Sequence, residues 1–173
     1  ITFDDFIENH KKIAEDGYFA RGNRVMLSQT FSKKIIKEKT NINLISKMKL
    51  IKLRIFKDMN RILPILRIIN YPFRKMKKTK WEGATTCNFG IWKSDFIHIN
   101  GYDESFIGWG REDSHLIVRL INSNIFRKEA IFLTGVLHLH HKINSRENFS
   151  KNDKLLREAI NKKKTYIKNG YKK

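Results

Sequence analysis

Two adjacent carboxylates, Glu112 and Asp113, follow a Gly-Trp-Gly turn at residues 108–110. The two glycines have no Cβ, so the backbone beside Trp109 can approach a ligand closely and present the indole ring. Apolar residues recur with helical spacing after Glu112, which predicts that both carboxylates lie in the first turn of a helix, where the helix dipole favours anions. A ring beside two carboxylates is typical of chemistry on a sugar. The alternative is an ordinary turn before a helix whose acids only favour its start.

The segment from Asn100 to Leu120, NGYDESFIGWGREDSHLIVRL, resembles the NGF(D/E)…GWGGED…RL signature of glycosyltransferases with the GT-A fold. That signature occurs in β-1,4-galactosyltransferases, in chondroitin polymerase-type enzymes and in bacterial family 2 transferases of surface polysaccharide synthesis. The segment from Gly83 to Glu104 and the HLHH of His138 to His141 resemble other parts of the same group. This chain departs from the group at Arg111, where glycine is frequent, and at Ser114, where the galactosyltransferases carry a third acid.

The resemblance implies an inverting transfer of a sugar from a nucleotide-diphosphate donor to a glycan or lipid-linked acceptor. It implies that Asp113 is the catalytic base and that Glu112 hydrogen-bonds the hydroxyls of a substrate. The substrate-binding residues it implies are Trp109, which would stack on a sugar, Gly108, Gly110, Arg111, Asn88 and Arg24. It also implies that His138 or His141 completes a Mn²⁺ or Mg²⁺ site, and their spacing does not choose between them. A solvated, histidine-rich strand end is the alternative.

The chain starts ITFDDFIENHKK, without a methionine. In the resembling enzymes an Asp-x-Asp metal motif precedes a segment of this kind, whereas Asp4 and Asp5 are adjacent here. We therefore expect the C-terminal catalytic part of a larger enzyme, or an unusually truncated relative, which lacks the Asp-x-Asp needed by the metal site and is inactive alone. The expected fold class is α/β, a partial GT-A fold with a Rossmann-like mixed sheet and flanking helices, plus a basic helical insert. We expect one domain over residues 1–173, with the insert at about residues 33–80.

The net charge of +19 is concentrated in the predicted insert, which holds sixteen basic and two acidic residues. Apolar residues recur there at intervals of three and four from Leu44 to Ile69, which predicts a basic amphipathic helix interrupted near Pro64. Such a helix suits an anionic membrane surface. We therefore expect a cytoplasmic protein that is peripheral at the inner face of the membrane. The alternative is a pair of core-packed helices whose outer face is solvated.

The basic charge also raises two competing functions. A nucleic-acid-binding protein needs a positive groove, and Phe56, Tyr71, Phe73 and Trp81 flank the basic run. The sequence has no RNP-like, zinc-ligand or helix-turn-helix signature, so it does not favour a nucleic-acid partner. The other alternative is a non-catalytic module that holds an acceptor or a partner subunit.

The remaining pattern gives a coarse set of elements. The single cysteine, Cys87, is expected to be a reduced thiol in the core. We expect helices at residues 4–15, near 93–97 and at 151–168, strands at 18–27 and 130–139, and extended structure at 81–92. The pair Asn100-Gly101 predicts a turn that leads toward the Trp109 loop.

Overall fold

A computed structural model describes residues 1–62, 65–142 and 144–172. The chain forms two compact units. Unit 1 consists of Ile1–Ile13, Gly22–Arg74 and Ala130–Lys142, and unit 2 of Ala14–Arg21, Lys75–Glu129 and Ile143–Lys173. The predicted α/β class is confirmed, and the mixed sheet with its flanking helices is consistent with a partial GT-A fold. The organisation of residues 1–173 as a single domain with an insert stays a prediction.

Six helices and five strands lie within the described residues, together with a short 3₁₀ helix at Ile42–Leu44. In chain order they are α1 (Phe6–Ile13), β1 (Tyr18–Arg21), β2 (Arg24–Met26), α2 (Gln29–Glu38), α3 (Lys47–Ile55), β3 (Phe89–Gly90), α4 (Lys93–His98), α5 (Glu112–Asn122), β4 (Phe126–Glu129), β5 (Val136–His138) and α6 (Phe149–Asn161).

Unit 1 is built on two parallel strands, β2 and β5, with α1, α2 and α3 in the same unit. The Ser28 side chain caps α2 by accepting a hydrogen bond from the backbone N–H of Phe31, which satisfies one of the free donors at a helix start. Its hydroxyl also donates to Asp58 at 2.5 Å. The core of unit 1 consists of Val25, Leu27, Phe31, Ile35, Ile42, Leu53, Met59 and Leu137.

Unit 2 contains a three-stranded mixed sheet in the order β3-β1-β4. Strand β1 runs parallel to β4 and antiparallel to β3. Helix α5 buries Leu116, Ile117 and Leu120 in the cluster that also holds Phe19 of β1, because these side chains recur on one face of the helix. Strand β1 and helix α5 therefore share one hydrophobic core, which fixes the start of α5 within unit 2.

The predicted strand at residues 18–27 is wrong as a single element. It breaks at Gly22 and Asn23 into β1 and β2, which belong to different sheets. The predicted strand at residues 130–139 is reduced to the three residues of β5, and β4 was not predicted at all. The inward-facing residues of β4 are Arg127 and Glu129, which pair with each other, so its sequence lacks the apolar alternation of an ordinary half-buried strand.

The basic region is helical only in part. After α2, helix α3 extends to Ile55, and Lys57 then adopts a left-handed backbone conformation with φ of 61° that cannot continue a right-handed helix. The chain next pairs with the edge of β2, since Met59 bridges to Leu27 and the Asn60 amide donates to the Met26 carbonyl. The predicted interruption at Pro64 lies outside the described residues.

The other local predictions have mixed outcomes. Helices α1, α4 and α5 are confirmed, and the closing helix starts at Phe149 and ends at Asn161, earlier than predicted. Residues 81–92 are mostly irregular, with β3 as their only strand within the described part of the chain. Cys87 is exposed, so its assignment to the core is wrong. Among the described helices, none has the length and apolar character needed to cross a bilayer.

Candidate active site

Asp113 lies in the first turn of α5, as predicted, and is held by Thr86 of unit 2. The Thr86 backbone N–H donates to Asp113 Oδ2 at 3.2 Å, and its hydroxyl donates to Oδ1. Helix α5 begins directly after Arg111, whose φ of 76° sets the sharp entry of the chain into the helix. The carboxylate is therefore fixed in direction by two donors from one residue.

Glu112 differs from its neighbour in having an unused oxygen. Its Oε2 atom is buried and has no hydrogen-bond partner within the described residues. Tyr102 lies close to both acids and shares a hydrogen bond with Thr86. Burial, followed by the charges of Asp113 and Glu112, raises the pKa of Tyr102 to about 12, so its phenol stays neutral and can act as a donor. These four side chains form one polar cluster at the start of α5.

The ring of Trp109 is held by residues at and before the start of α6. It stacks on Phe149 with 6.0 Å between ring centroids and 25° between the ring planes. The Arg146 guanidinium lies 4.5 Å from the Trp109 ring centroid, a cation–π contact. The indole ring therefore has two partners in unit 2, and its role in stacking on a sugar stays a prediction.

Both glycines beside Trp109 have positive φ values, 74° at Gly108 and 110° at Gly110. A Cβ at Gly110 would lie 3.1 Å from the Phe149 ring, and a Cβ at Gly108 would lie 3.4 Å from the Asn148 side-chain nitrogen. Glycine is therefore needed at position 110 for backbone conformation and for space, and at position 108 chiefly for conformation. The prediction that these glycines let a ligand approach closely stays a prediction, and the neighbours seen in unit 2 are Phe149 of α6 and Asn148 directly before it.

The remaining predicted substrate-binding residues have different surroundings. Arg111 pairs with Asp153 at 2.7 Å and lies over the Phe149 ring at 4.9 Å, so its guanidinium contacts α6. Hydrogen bonds from Arg157 and the nearby charge of Arg111 lower the pKa of Asp153, which keeps this pairing ionic. Asn88 is buried in unit 2, and Arg24 is exposed on β2 of unit 1. Their substrate-binding roles stay predictions.

Arg119 is completely buried and ties α5 to the Asn100-Gly101 turn. Its guanidinium donates to the carbonyls of Ile99 at 2.6 Å and Gly101 at 2.5 Å, and its Nε donates to His115 Nδ1 at 3.3 Å. The turn itself is confirmed, with φ values of 63° at Asn100 and 70° at Gly101. Because Tyr102 follows this turn, Arg119 helps to position the phenol beside the two acids.

Burial, with the charge of Arg119 as a secondary cause, lowers the pKa of His115 from 6.5 to about 4. The unfolded chain therefore binds a proton between pH 6.5 and pH 4 that the folded chain does not, and stability falls as the pH falls through that window. Because of His115, we expect the free energy of unfolding to be about 2 kcal/mol lower at pH 5 than at pH 7. The value follows from about 1.4 kcal/mol for each pH unit over which only the unfolded chain binds the proton.

Urea unfolding at pH 7 and pH 5 measures that loss. The variant His115→Gln should lose less stability than the wild type between the two pH values, whereas His98→Gln, which changes an exposed histidine, should lose as much as the wild type. Equal losses in His115→Gln and the wild type would contradict the assignment.

His138 and His141 lie together at the end of β5 in unit 1, with 3.0 Å between their Nε2 atoms. The Nδ1 of His141 lies 2.9 Å from the Lys142 carbonyl, which favours a proton on Nδ1 and leaves Nε2 as an acceptor. Two ligands at about 2.1 Å and about 90° around a cation lie about 3.0 Å apart, so this pair fits one side of a metal site. Burial, then the charges of Arg24 and His141, lowers the pKa of His138 and favours the neutral form that binds metals.

A complete metal centre is not present in the part of the chain that the structure describes. No group of three or more His, Cys, Asp or Glu residues is arranged there to hold a metal ion. Imidazole suits Mn²⁺ better than Mg²⁺, which prefers oxygen ligands. The histidine pair therefore supplies at most two ligands of a divalent cation. The pair belongs to unit 1, whereas Asp113 belongs to unit 2.

Sequence reasoning missed Thr86, Tyr102, Arg119 and Phe149 as members of the unit 2 site. Tyr102 and Arg119 had a signal, since they occupy the aromatic position and the arginine position of the NGF(D/E)…GWGGED…RL signature, and Thr86 lies within the Gly83–Glu104 segment that resembles the same group. Phe149 had none, because a phenylalanine far along the chain shows no spacing that links it to Asp113. Their contacts depend on tertiary packing.

Comparison with known proteins gives two findings. Residues 70–142 match the model of the family described as the N-terminal domain of galactosyltransferase. The chain is also 39% identical over 57 residues to chondroitin sulfate N-acetylgalactosaminyltransferase 1 of Mus musculus and to that of Homo sapiens. The match covers 33% of this chain and 10% of each relative, so the chain spans only a small part of their length. No solved structure matches the chain.

The matched residues include Asn88, the segment from Gly108 to Asp113, and both histidines of the pair, whereas Arg24 lies outside them. The matched family and the two relatives are transferases of galactose or N-acetylgalactosamine by name, and they give no support to the expected bacterial family 2 assignment. They do support the coarser prediction of a glycosyltransferase, because residues 70–142 are similar to a galactosyltransferase domain.

Proposed function

We propose that the protein is an inverting glycosyltransferase that moves a sugar from a nucleoside diphosphate donor to a hydroxyl of a glycan or lipid-linked acceptor, in polysaccharide synthesis. The observation that carries this proposal is Asp113, fixed by Thr86 at the start of α5 inside the segment that matches the galactosyltransferase family. The orphan oxygen of Glu112 beside it supplies a second acceptor.

Asp113 accepts the proton of the attacking hydroxyl. Each carboxylate oxygen has two lone pairs, so the hydrogen bonds from Thr86 leave room for one more donor. The hydroxyl becomes acidic as its oxygen bonds to the anomeric carbon, so the proton can transfer late to a weak base. Because the donors on Asp113 are already in place, the carboxylate does not reorganise during the reaction.

Glu112, Tyr102 and Trp109 bind the substrates. The free Oε2 of Glu112 accepts a hydrogen bond from a sugar hydroxyl, which removes the cost of a buried acceptor without a partner. The neutral phenol of Tyr102 donates. The half-exposed indole of Trp109, kept in orientation by Phe149 and Arg146, contacts the apolar face of a sugar ring.

His138 and His141 would hold a divalent cation, Mn²⁺ or Mg²⁺, with ligands from outside their cluster. When bound, such a cation supplies positive charge that stabilises the departing diphosphate. The support is the 3.0 Å separation of the two Nε2 atoms and the orientation of His141 by the Lys142 carbonyl.

The donor sugar is proposed from the names of the similar proteins. The relatives are named N-acetylgalactosaminyltransferases and the matched family is named for galactosyltransferase. We therefore propose a nucleoside diphosphate of galactose or N-acetylgalactosamine as the donor. Release of nucleoside diphosphate from these two donors by the intact enzyme tests the proposed transfer. Release should need both a divalent cation and an acceptor, and release with neither would contradict the proposal.

The histidine pair leads to a separate prediction. His141→Ala should raise the Mn²⁺ concentration needed for half-maximal activity by about 10-fold or more, because a ligand is lost and the loss of a ligand's hydrogen-bond partner alone already costs about 10-fold to 100-fold. His138→Ala should act in the same direction. His140→Ala is the matched control, since this exposed histidine lies between the two and its side chain is outside the pair. The metal role would be refuted if His140→Ala and His141→Ala needed the same Mn²⁺ concentration.

A further inference from the structure

Helix α3 exposes an apolar face that the core of unit 1 does not use. Met48 is 65% exposed, Ile51 43% and Ile55 68%. Their spacing of three and four residues places them on one side of the helix. The same helix buries Leu53 in the core and packs Leu50 against it. Packing within unit 1 therefore explains one apolar face of α3 and leaves the other without a function.

Basic residues flank the exposed apolar face on both sides. At about 100° per residue, Lys49 and Lys52 lie on one side of the Met48–Ile51–Ile55 face, and Lys47 and Arg54 lie on the other. All four are exposed. An apolar face bordered by lysine and arginine is the pattern of helices that lie in a membrane interface, where the apolar side chains enter the acyl region and the cations contact the headgroups.

An apolar groove of about 510 Å³ lies beside this face. Its lining includes Leu50 and Ile51 of α3 and the chain at residues 65–68, and its two charged lining residues are Lys47 and Arg67. Arg67 is already paired with Asp5 through two hydrogen bonds, whereas Lys47 has no ion pair among the described residues. An apolar groove with an unpaired cation in its wall suits the acyl chain of a lipid whose headgroup is anionic.

We propose that the exposed face of α3 and this groove bind the surface of an anionic lipid bilayer. Charge complementarity favours this binding partner, because residues 33–74 of unit 1 hold twelve basic and two acidic residues and each basic residue near an anionic leaflet favours binding. A second copy of the chain would bring like charges together. The inference does not depend on the proposed transferase activity. The compartment stays a prediction: the cytoplasmic, inner face of the membrane.

Flotation with vesicles of phosphatidylcholine and phosphatidylserine tests the apolar part. Met48→Ser with Ile55→Ser should weaken binding about tenfold or more, because both side chains lose their apolar contact with the acyl region. The matched control is Ile7→Ser with Ile36→Ser, two residues of unit 1 that are each 62% exposed. This control should bind like the wild type, and both variants should keep the wild-type thermal midpoint, because all four side chains are exposed.

The same assay tests the charges. Lys49→Gln with Lys52→Gln should weaken binding, whereas Lys151→Gln with Lys154→Gln removes two exposed helical lysines with the same spacing from α6 and should change it little. Binding by the wild type should fall on vesicles of phosphatidylcholine alone and at about 0.5 M salt, where charges are screened within a few ångströms.

Three results would overturn the proposal. One is a loss of vesicle binding in Ile7→Ser with Ile36→Ser that equals the loss in Met48→Ser with Ile55→Ser. Another is binding to single-stranded RNA that is tighter than binding to vesicles and unaffected by Met48→Ser with Ile55→Ser, which would assign the basic residues to a nucleic acid. A third is a dimer in sedimentation that the same double variant converts to a monomer, which would assign the apolar face to a second copy.

Discussion

Replacement of Asp113 by asparagine is expected to lower kcat of the intact enzyme by a factor on the order of 10² to 10⁴, with little change in KM for the donor. The amide can keep both contacts with Thr86, since it offers one acceptor and one donor to a hydroxyl that can serve as either. It cannot take a proton from the attacking hydroxyl. The variant therefore separates proton transfer from the geometry of the site, and steady-state release of nucleoside diphosphate measures it.

Two further variants sharpen the interpretation. Glu147→Gln removes an exposed carboxylate outside the cluster and should keep wild-type kcat. Thr86→Val removes the hydroxyl that orients Asp113 and should lower kcat less than Asp113→Asn, because the backbone N–H of Thr86 still donates. Near-normal turnover in Asp113→Asn would remove Asp113 from the role of base.

Replacement of Arg119 by methionine is expected to lower the free energy of unfolding by about 4 kcal/mol. Methionine keeps much of the apolar stem but leaves the carbonyls of Ile99 and Gly101 and the His115 Nδ1 buried without their donor, at about 1–3 kcal/mol each. The variant no longer has to bury a charged guanidinium, a cost that is visible in the pKa of Arg119, which burial lowers to about 10. This gain offsets only part of the loss.

Urea unfolding followed by circular dichroism measures the effect of Arg119→Met. The control is Arg61→Met, which changes an exposed arginine of unit 1 and should alter stability by less than about 0.5 kcal/mol. If the two variants lost the same small amount of stability, the carbonyls at Ile99 and Gly101 would have other donors, and Arg119 would not hold the turn.

The start of α5 could be predicted because its signals are local. The apolar residues Leu116, Ile117 and Leu120 repeat with helical spacing, and Glu112 and Asp113 precede them directly. The Asn100-Gly101 turn was predicted for a similar reason, since both residues tolerate the left-handed conformation that they adopt. In both places, neighbouring residues decide the local structure.

Strand β4 and the end of α3 could not be predicted because distant residues decide them. Arg127 is buried in β4 because the carbonyls of Lys80 and Glu82 and the carboxylate of Glu129 accept its donors. Helix α3 stops where the chain joins the edge of β2 through Met59. A charged strand and an early helix end are both favourable only once these partners are in place.

The site shows the same division between features that neighbouring residues decide and features that distant residues decide. Sequence reasoning placed Asp113, Glu112 and the flanking glycines correctly within the fold, because they are contiguous in the chain. It could not show that Phe149 and Arg146 contact Trp109 from the region of α6, or that Asp153 pairs with Arg111. These contacts join residues that lie more than thirty positions apart in the sequence.

Mass spectrometry of an acceptor glycan tests the central claim most directly. The intact enzyme is incubated with Mn²⁺, the acceptor and the nucleoside diphosphates of galactose and N-acetylgalactosamine, with Asp113→Asn as the inactive reference. We predict that the acceptor gains one sugar unit for each nucleoside diphosphate released, and that the Asp113→Asn sample shows little of either. An acceptor of unchanged mass with both donors, or equal gains with the wild type and with Asp113→Asn, would contradict the proposed transfer.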